Sequence, residues 1–138
     1  MVAAQGPRKI IRQSIAFILA AAMAVTGASA ADRLSSLAGS EWGFEQGSDT
    51  YIQFAEKDVS GSSGCNRFRG TYTYVDGKLS FGPLAGTRMA CPPEQMETER
   101  KILQLLEATK TVEATHKTLT LQDGTGATLA TLNRRDFD

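Results

Sequence analysis

Hydrophobic and polar residues alternate along most of the chain after residue 40, which is the pattern of β-strands with one buried face. The clearest signal is Asp76-Gly77 between two alternating runs, because a two-residue hairpin loop needs a positive φ at both positions. A loop at these residues predicts the cross-strand pairs Val75–Lys78, Tyr74–Leu79 and Tyr72–Phe81. The register is well determined, since a slip of one residue would expose every aromatic ring.

Further strands are predicted on both sides of this hairpin. Residues 51–54 and a segment that starts at Val59 alternate, and the Gly/Ser-rich residues 61–64 are expected to break the ladder. Residues 87–91 are expected to return the chain to the sheet or to its edge. Three C-terminal strands are separated by turns at residues 116–117 and 123–126. The fold is therefore predicted to be mostly antiparallel.

One helix is predicted over residues 94–109. Pro93 suits its first position, where the missing N–H costs nothing. The apolar stripe of this helix consists of Met96, Ile102, Leu103, Leu105 and Leu106. Neither a short helix nor a two-stranded ribbon is stable alone in water, so we expect Ile102 and Leu106 to pack over the open side of the sheet.

The first thirty residues have the pattern of a cleavable signal peptide. Arg8, Lys9 and Arg12 precede an apolar run over residues 15–25, and Ala28-Ser29-Ala30 is an A-x-A cleavage site. An uncleaved anchor is the alternative. The predicted organisation is a signal peptide at residues 1–30 and a single domain at residues 31–138, in the periplasm or secreted, with no integral membrane segment after cleavage.

The charge balance argues against nucleic acid as a partner. The whole chain has 15 basic and 15 acidic residues, and without Arg8, Lys9 and Arg12 the remaining chain is near −3. Nucleic-acid binding needs a basic face and a high isoelectric point. No nucleic-acid partner is therefore expected.

The two cysteines, Cys65 and Cys91, are predicted to form one disulfide, because a bridge persists in an oxidising compartment. The alternatives are a reactive thiol or a metal site. The chain has no C-x-x-C pair and a single histidine, His116, so the spacing of a zinc site or of a redox dithiol is missing. Neither a cofactor nor a metal is expected.

Two other residues have a structural and a functional interpretation. Trp42, the sole tryptophan, is expected in the core, with ligand stacking as the alternative. Asn66 tolerates a left-handed backbone, so stabilising a turn is preferred to binding a ligand. No nucleophile elbow or phosphate-binding glycine loop is present in the sequence, and no catalytic residue is predicted.

Several of these residues form a recognisable pattern, in which a G-C-N block precedes the hairpin and a T-x-M-A-C block follows it. The chain resembles the META domain family of HslJ-like bacterial envelope proteins over roughly residues 34–134. Many relatives have a lipid-modified cysteine after the signal peptide, and this chain has none, so membrane tethering does not follow. Besides the two cysteines, the motif positions are Trp42, Gly64, Asn66, Gly70, Tyr72, Thr87, Met89 and Glu99.

The resemblance implies an α+β fold, with an incomplete (cracked) antiparallel β-barrel and one packed helix. It also implies a heat-inducible envelope protein linked to stress and antibiotic tolerance, without an established reaction. We expect a non-enzymatic module that binds a protein, peptide or lipid; the alternative is a small extracytoplasmic hydrolase or thiol enzyme. An exposed apolar groove beside the helix would favour binding, and a cleft with convergent titratable groups would favour catalysis.

Overall fold

The computed structural model describes residues 32–45 and 49–136. The predicted signal peptide and its cleavage site lie outside the described residues. The described part contains, in chain order, β1 (Ser40–Gly43), β2 (Thr50–Phe54), β3 (Asp58–Ser63), β4 (Arg67–Val75), β5 (Lys78–Phe81), β6 (Ala85–Gly86), α1 (Pro93–Ala108), β7 (Thr111–Ala114), β8 (Thr118–Gln122) and β9 (Thr128–Arg134). Within these residues, no helix has the length and apolar character needed to span a bilayer.

Eight of the strands form a closed antiparallel barrel. The order around the ring is β3-β2-β1-β9-β8-β7-β5-β4, and β4 pairs back with β3. The short strand β6 lies beside β4 as well, at Phe68 and Arg69, and so extends the β5 side of β4 after an intervening loop. All the pairings are antiparallel, as the alternating sequence predicts.

The expected incomplete, cracked barrel is therefore wrong, although the prediction of mostly antiparallel β-structure with one helix is confirmed. Two pairings between distant segments close the ring, namely β1 with β9 and β5 with β7. The second is narrow, with one residue pair, Lys78 and Thr111. Two hydrogen bonds flank it: Leu79 N donates to Lys110 O at 3.1 Å, and Val112 N donates to Gly77 O at 2.8 Å. Every strand of the ring thus has two hydrogen-bonded neighbours.

The β4–β5 hairpin has the predicted register. Val75 pairs with Lys78, and the next pairs follow in step. Asp76 and Gly77 have φ values of 50° and 77°, as a two-residue loop requires. The predicted break at residues 61–64 is wrong, because β3 continues to Ser63.

Gly61 is a regular part of β3 rather than a breaker. It is paired with Ile52 and Phe68 on the two neighbouring strands. A Cβ atom at Gly61 would lie 2.6 Å from the Phe68 ring and would also collide with a backbone oxygen of β2. The absence of a side chain therefore lets the Phe68 ring lie against the backbone, which explains why a glycine occurs inside the strand.

The barrel interior is a single hydrophobic core, and α1 contributes to it. Ile102 and Leu106 are completely buried, as predicted from the stripe. They do not cover an open sheet, since the ring is closed; instead α1 packs against β3 and continues through the buried Thr109 into β7. Leu103, on the same helix, remains 37% exposed. Leu103 is therefore the residue of the apolar stripe that remains accessible at the surface.

Candidate functional site

The two sequence blocks of the motif are joined in space. Cys65 and Cys91 form a disulfide with a Cα–Cα distance of 6.0 Å, so the predicted bridge is confirmed. No free cysteine occurs among the described residues. The bridge ties the turn between β3 and β4 to the segment that leads into α1.

Asn66 connects the same two segments by side-chain hydrogen bonds. Its Oδ1 accepts from Met89 N at 2.7 Å and from Thr87 Oγ1 at 3.0 Å, and its Nδ2 donates to Met89 O at 3.4 Å. Thr87 Oγ1 in turn accepts from Arg67 N at 3.1 Å. The Asn66 side chain therefore fixes a distant loop, whereas the sequence predicted that it stabilises its own turn.

Glu99 links α1 to this cluster. The Ser63 hydroxyl lies 2.9 Å from Glu99 Oε1 and 2.9 Å from Asn66 O, and its single proton can be donated to only one of them at a time. The carboxylate therefore fixes the N-terminal half of the helix against the end of β3. Among the described residues, Glu99 is hydrogen-bonded to a hydroxyl group and not to a second titratable side chain, so the geometry gives it no acid/base partner.

Trp42 and Tyr72 lie elsewhere in the barrel, Gly64 lies in the β3–β4 turn beside Cys65, and all three have structural roles. Trp42 is completely buried, donates from Nε1 to Ser40 Oγ at 2.8 Å and lies under the Arg134 guanidinium at 5.5 Å. Gly64 has a φ of 102°, which disfavours a side chain. Tyr72 is buried and donates its hydroxyl to Ala55 O at 2.5 Å. These positions stabilise the fold rather than line a site.

Gly70 allows a loop to cross β4 at close range. A Cβ atom at Gly70 would lie 2.9 Å from Pro83 O and 2.8 Å from Leu84 Cδ2. Residues 82–84 connect β5 to β6 and lie against β4 at this point. The missing side chain thus positions one wall of the cleft described next.

A cleft of about 830 Å³ lies between β5 and the C-terminal half of α1. Its volume falls within the roughly 300–1,000 Å³ range of small-molecule and peptide-side-chain pockets. The charged residues at its edge are Lys78, Glu107 and Lys110. Its apolar lining residues are Leu79, Phe81, Pro83, Leu84, Leu103 and Leu106.

A second, smaller cavity of about 150 Å³ adjoins the cleft. Leu84 and Leu103 line both, so these two side chains separate them. The smaller cavity reaches the disulfide-linked cluster, where Arg67, Arg88 and Glu99 line it. The motif cluster therefore supports the far end of the cleft without lining the cleft itself.

The groups with displaced pKa values lie away from the cleft. Burial raises the pKa of Tyr72, to which the Glu56 charge adds, and burial raises the pKa of Tyr74 against the opposing Arg33 charge. Hydrogen bonds from Thr125 lower the pKa of the Asp123 carboxyl, and those from Arg134 lower that of Asp136. Each has a local structural cause, and none of the four lines the cleft.

The structure therefore defines a small closed β-barrel domain with a helix-lined apolar cleft, in which the sequence motif holds the loops around that cleft. The META domain family model matches residues 19–136, and the chain belongs to this family. Heat shock protein HslJ of Escherichia coli is 38% identical over 71 residues, which is 51% of each chain. The chain thus spans about half the length of the curated relative it matches.

Two solved structures have a similar fold. An NMR structure of a protein from Burkholderia xenovorans has a TM-score of 0.61 and 29% identity, and the match covers 72% of this chain and 84% of that one. A second NMR structure has a TM-score of 0.55 and 32% identity, with 72% and 90% coverage. Both cover most of the described barrel.

The cleft was not located from the sequence. Its lining residues come from β5, the loop after it and α1, which are separated by more than ten residues of chain. The signal that was present is Leu103, which belongs to the helix stripe but lies to the side of the Ile102 and Leu106 face. An apolar residue beside the buried face of a helix indicates either that the buried face is wider or that an apolar cleft is exposed there. In the structure Leu103 lines the cleft.

Proposed function

We propose that this META-domain protein is an exported, non-enzymatic binding module that takes its partner in the cleft between β5 and α1. The observation that carries the proposal is the cleft itself: an apolar floor bordered by Leu103, with lysines at its edge. Exposed apolar concavities of this size are typical of binding sites. The similarity to Heat shock protein HslJ supports a role in stress, and we propose that this role lies in the envelope, with the protein in the periplasm or secreted.

Three features favour binding over the alternative, a hydrolase or thiol enzyme. Both cysteines are in the disulfide. The single histidine, His116, is exposed in the turn between β7 and β8 and does not line the cleft. Within the described residues, no group of three or more His, Cys, Asp or Glu side chains is arranged to hold a metal ion.

A comparison of two exposed apolar residues tests the proposed site. Leu103→Asp places a charge in the cleft wall, whereas Val75→Asp places the same charge on an exposed residue beside the hairpin loop. Envelope extract is passed over each immobilised protein, and the retained proteins and lipids are identified by mass spectrometry. We expect the native protein and Val75→Asp to retain the same partner and Leu103→Asp to lose it. Equal retention by all three proteins would refute the cleft as the site.

Export is tested separately, by the intact mass of protein recovered from the periplasm and from the medium. We expect the mass of a chain that begins at or close to Ala31, as the A-x-A site predicts. A mass that still includes residues 1–30 would contradict cleavage.

A further inference from the structure

We infer that the partner is an extended peptide, which adds to the β5 edge as a further strand and lies in the cleft beside α1. This inference rests on the proposed function and specifies the class of its ligand. It depends on the direction of the backbone groups of β5, on the point at which β7 stops pairing, and on the charges at the cleft edge.

The first step is the direction of the β5 backbone groups. In an antiparallel strand, the N–H and C=O of one residue point to the same side, and successive residues alternate. Gly82 N donates to Thr71 O of β4, and Leu79 N donates to Lys110 O on the opposite side. Gly82 and Ser80 thus point toward β4, whereas Leu79 and Phe81 point toward β7 and the cleft.

β7 begins too late in the chain to pair with these groups. Its ladder with β5 consists of Lys78 and Thr111, and α1 ends only three residues earlier, at Ala108. Lys110 N donates to Gln122 O of β8, so it does not complete the pair with Leu79. The β4–β5 ladder uses the other side of β5, and the β5–β7 ladder reaches only Lys78, so among the hydrogen bonds of the described residues the Leu79 C=O and the Phe81 N–H have no partner.

The third step is that the cleft surrounds this free strand edge. Leu79 and Phe81 line it on the strand side, and Leu103 and Leu106 line it on the helix side. A strand edge beside an apolar helix face is a known arrangement for binding extended peptides, in which backbone hydrogen bonds give affinity and pockets for alternate side chains give specificity. An acyl chain could pack against the apolar residues of the cleft, but it would offer no acceptor to the Phe81 N–H.

The charges suggest which peptides bind best. Lys78 and Lys110 are exposed, line the cleft and form no ion pair among the described residues. Glu107 is the one acidic residue on the cleft edge, on the helix side. The strand side is therefore positive, and we expect a carboxylate of the peptide, either its C-terminus or an acidic side chain, to lie near the two lysines.

The experiment begins with a selection from a library of random heptapeptides with free carboxyl ends, against the purified protein. One selected peptide is then resynthesised with N-methyl groups at single positions, and dodecanoate is titrated in parallel as an acyl-chain probe. Binding is followed by amide NMR and by hydrogen exchange. We expect methylation at alternate residues to reduce affinity about tenfold, as loss of one backbone hydrogen bond allows, and the Phe81 amide to become protected from exchange.

Two pairs of variants separate the contributions. Phe81→Pro removes the N–H and the ring, whereas Phe81→Ala removes the ring alone, so the additional loss of affinity in Phe81→Pro measures the hydrogen bond from the Phe81 N–H to a peptide carbonyl. Proline is tolerated at an unpaired edge position, and if Phe81→Pro fails to fold, the N-methyl series on the native protein still decides. Lys78→Ala with Lys110→Ala should weaken binding about fivefold, and Lys117→Ala, outside the cleft, should not.

The outcomes are distinct. Peptide binding that is sensitive to alternate methylation supports the inference. Peptide binding that ignores methylation, or cleft shifts with dodecanoate and none with peptides, overturns it and leaves the proposed binding cleft in place. If neither the peptides nor dodecanoate perturb the cleft amides, both the inference and the proposed site are wrong.

Discussion

Asn66 is buried although it lies between two strands in a turn, and its amide bonds to residues more than twenty positions away. Because its Oδ1 accepts two hydrogen bonds, loss of this side chain leaves the Thr87 hydroxyl and the Met89 N–H without their acceptor. A short polar side chain in this role explains why an asparagine, rather than a larger amide, follows Cys65. The distance from Oδ1 to Met89 N, 2.7 Å, is that of a well-formed bond.

Asn66→Ala is therefore expected to lower the free energy of unfolding by about 1–3 kcal/mol, the cost of unsatisfied buried groups. Urea denaturation measures this change. Asn133→Ala is the matched control, since Asn133 is exposed on β9. A loss no larger than that of the control would show that the loop is held by the disulfide alone.

Tyr72 and Tyr74 are expected to make the folded protein less stable at alkaline pH. Each phenol donates a hydrogen bond to a backbone oxygen, Tyr72 to Ala55 and Tyr74 to Leu34, and burial raises the pKa of both above the ordinary value of 10.0. Below this value both the folded and the unfolded state hold the proton, and the stabilisation is complete. As the pH rises through it, the unfolded state loses the proton first, so stability falls.

We expect the free energy of unfolding to decrease steadily from about pH 10 upward. Tyr72→Phe should cost about 1 kcal/mol at neutral pH, through its lost hydrogen bond, and should make the decrease above pH 10 shallower. Urea denaturation between pH 8 and 11 measures both quantities. Identical pH dependence in the native protein and in Tyr72→Phe would show that this phenol does not titrate with unfolding.

At the scale of elements, local patterns were sufficient where the partner strand is adjacent in sequence. The β4–β5 register could be predicted from the sequence, because the two-residue loop at Asp76-Gly77 and the burial of the aromatic side chains on one face specify the same pairing. The helix followed from its prolines and its stripe, to within one residue at each end. The predicted return of residues 87–91 to the sheet instead occurs earlier, at β6.

Closure of the barrel could not be predicted from local sequence patterns, because it depends on the β5–β7 pairing between segments that are distant in sequence. That contact has a single residue pair, and no hydrophobic alternation specifies a contact so short. The candidate site has the same origin. The cleft exists because β7 begins only at Thr111, opposite Lys78, while β5 continues to Phe81; this offset between two strands that are distant in sequence cannot be predicted from either segment alone.

The disulfide belongs to the loops rather than to the barrel strands. It joins the β3–β4 turn to the segment before α1, at a sequence separation of 26. Replacement of both Cys65 and Cys91 by Ala should lower the free energy of unfolding by about 2–5 kcal/mol. Urea denaturation measures this, and thiol titration of the unreduced, denatured native protein should find no free sulfhydryl. Two reactive thiols in freshly recovered protein would show that the bridge does not form there.

At the scale of the whole molecule, the closed ring and its helix share one core, which predicts a single unfolding transition. Trp42, the sole tryptophan, is completely buried among the barrel strands, while Leu106 enters the same core from α1. The fluorescence of Trp42 therefore reports on the barrel, and far-ultraviolet circular dichroism reports on the helix as well. If α1 is a part of the core, both probes must change together.

Leu106→Ala should accordingly destabilise the entire domain by about 2–5 kcal/mol, the range for a buried leucine. Tyr72→Ala, on the far side of the hairpin, should shift the same transition, so that fluorescence and circular dichroism remain coincident in both variants. Val75→Ala is the control, because Val75 is 64% exposed and should change stability by less than about 0.5 kcal/mol. If Leu106→Ala melts the helix while the amides of the β4–β5 hairpin keep their exchange protection, α1 is an appendage, and the cleft beside it has a wall that can move independently of the barrel.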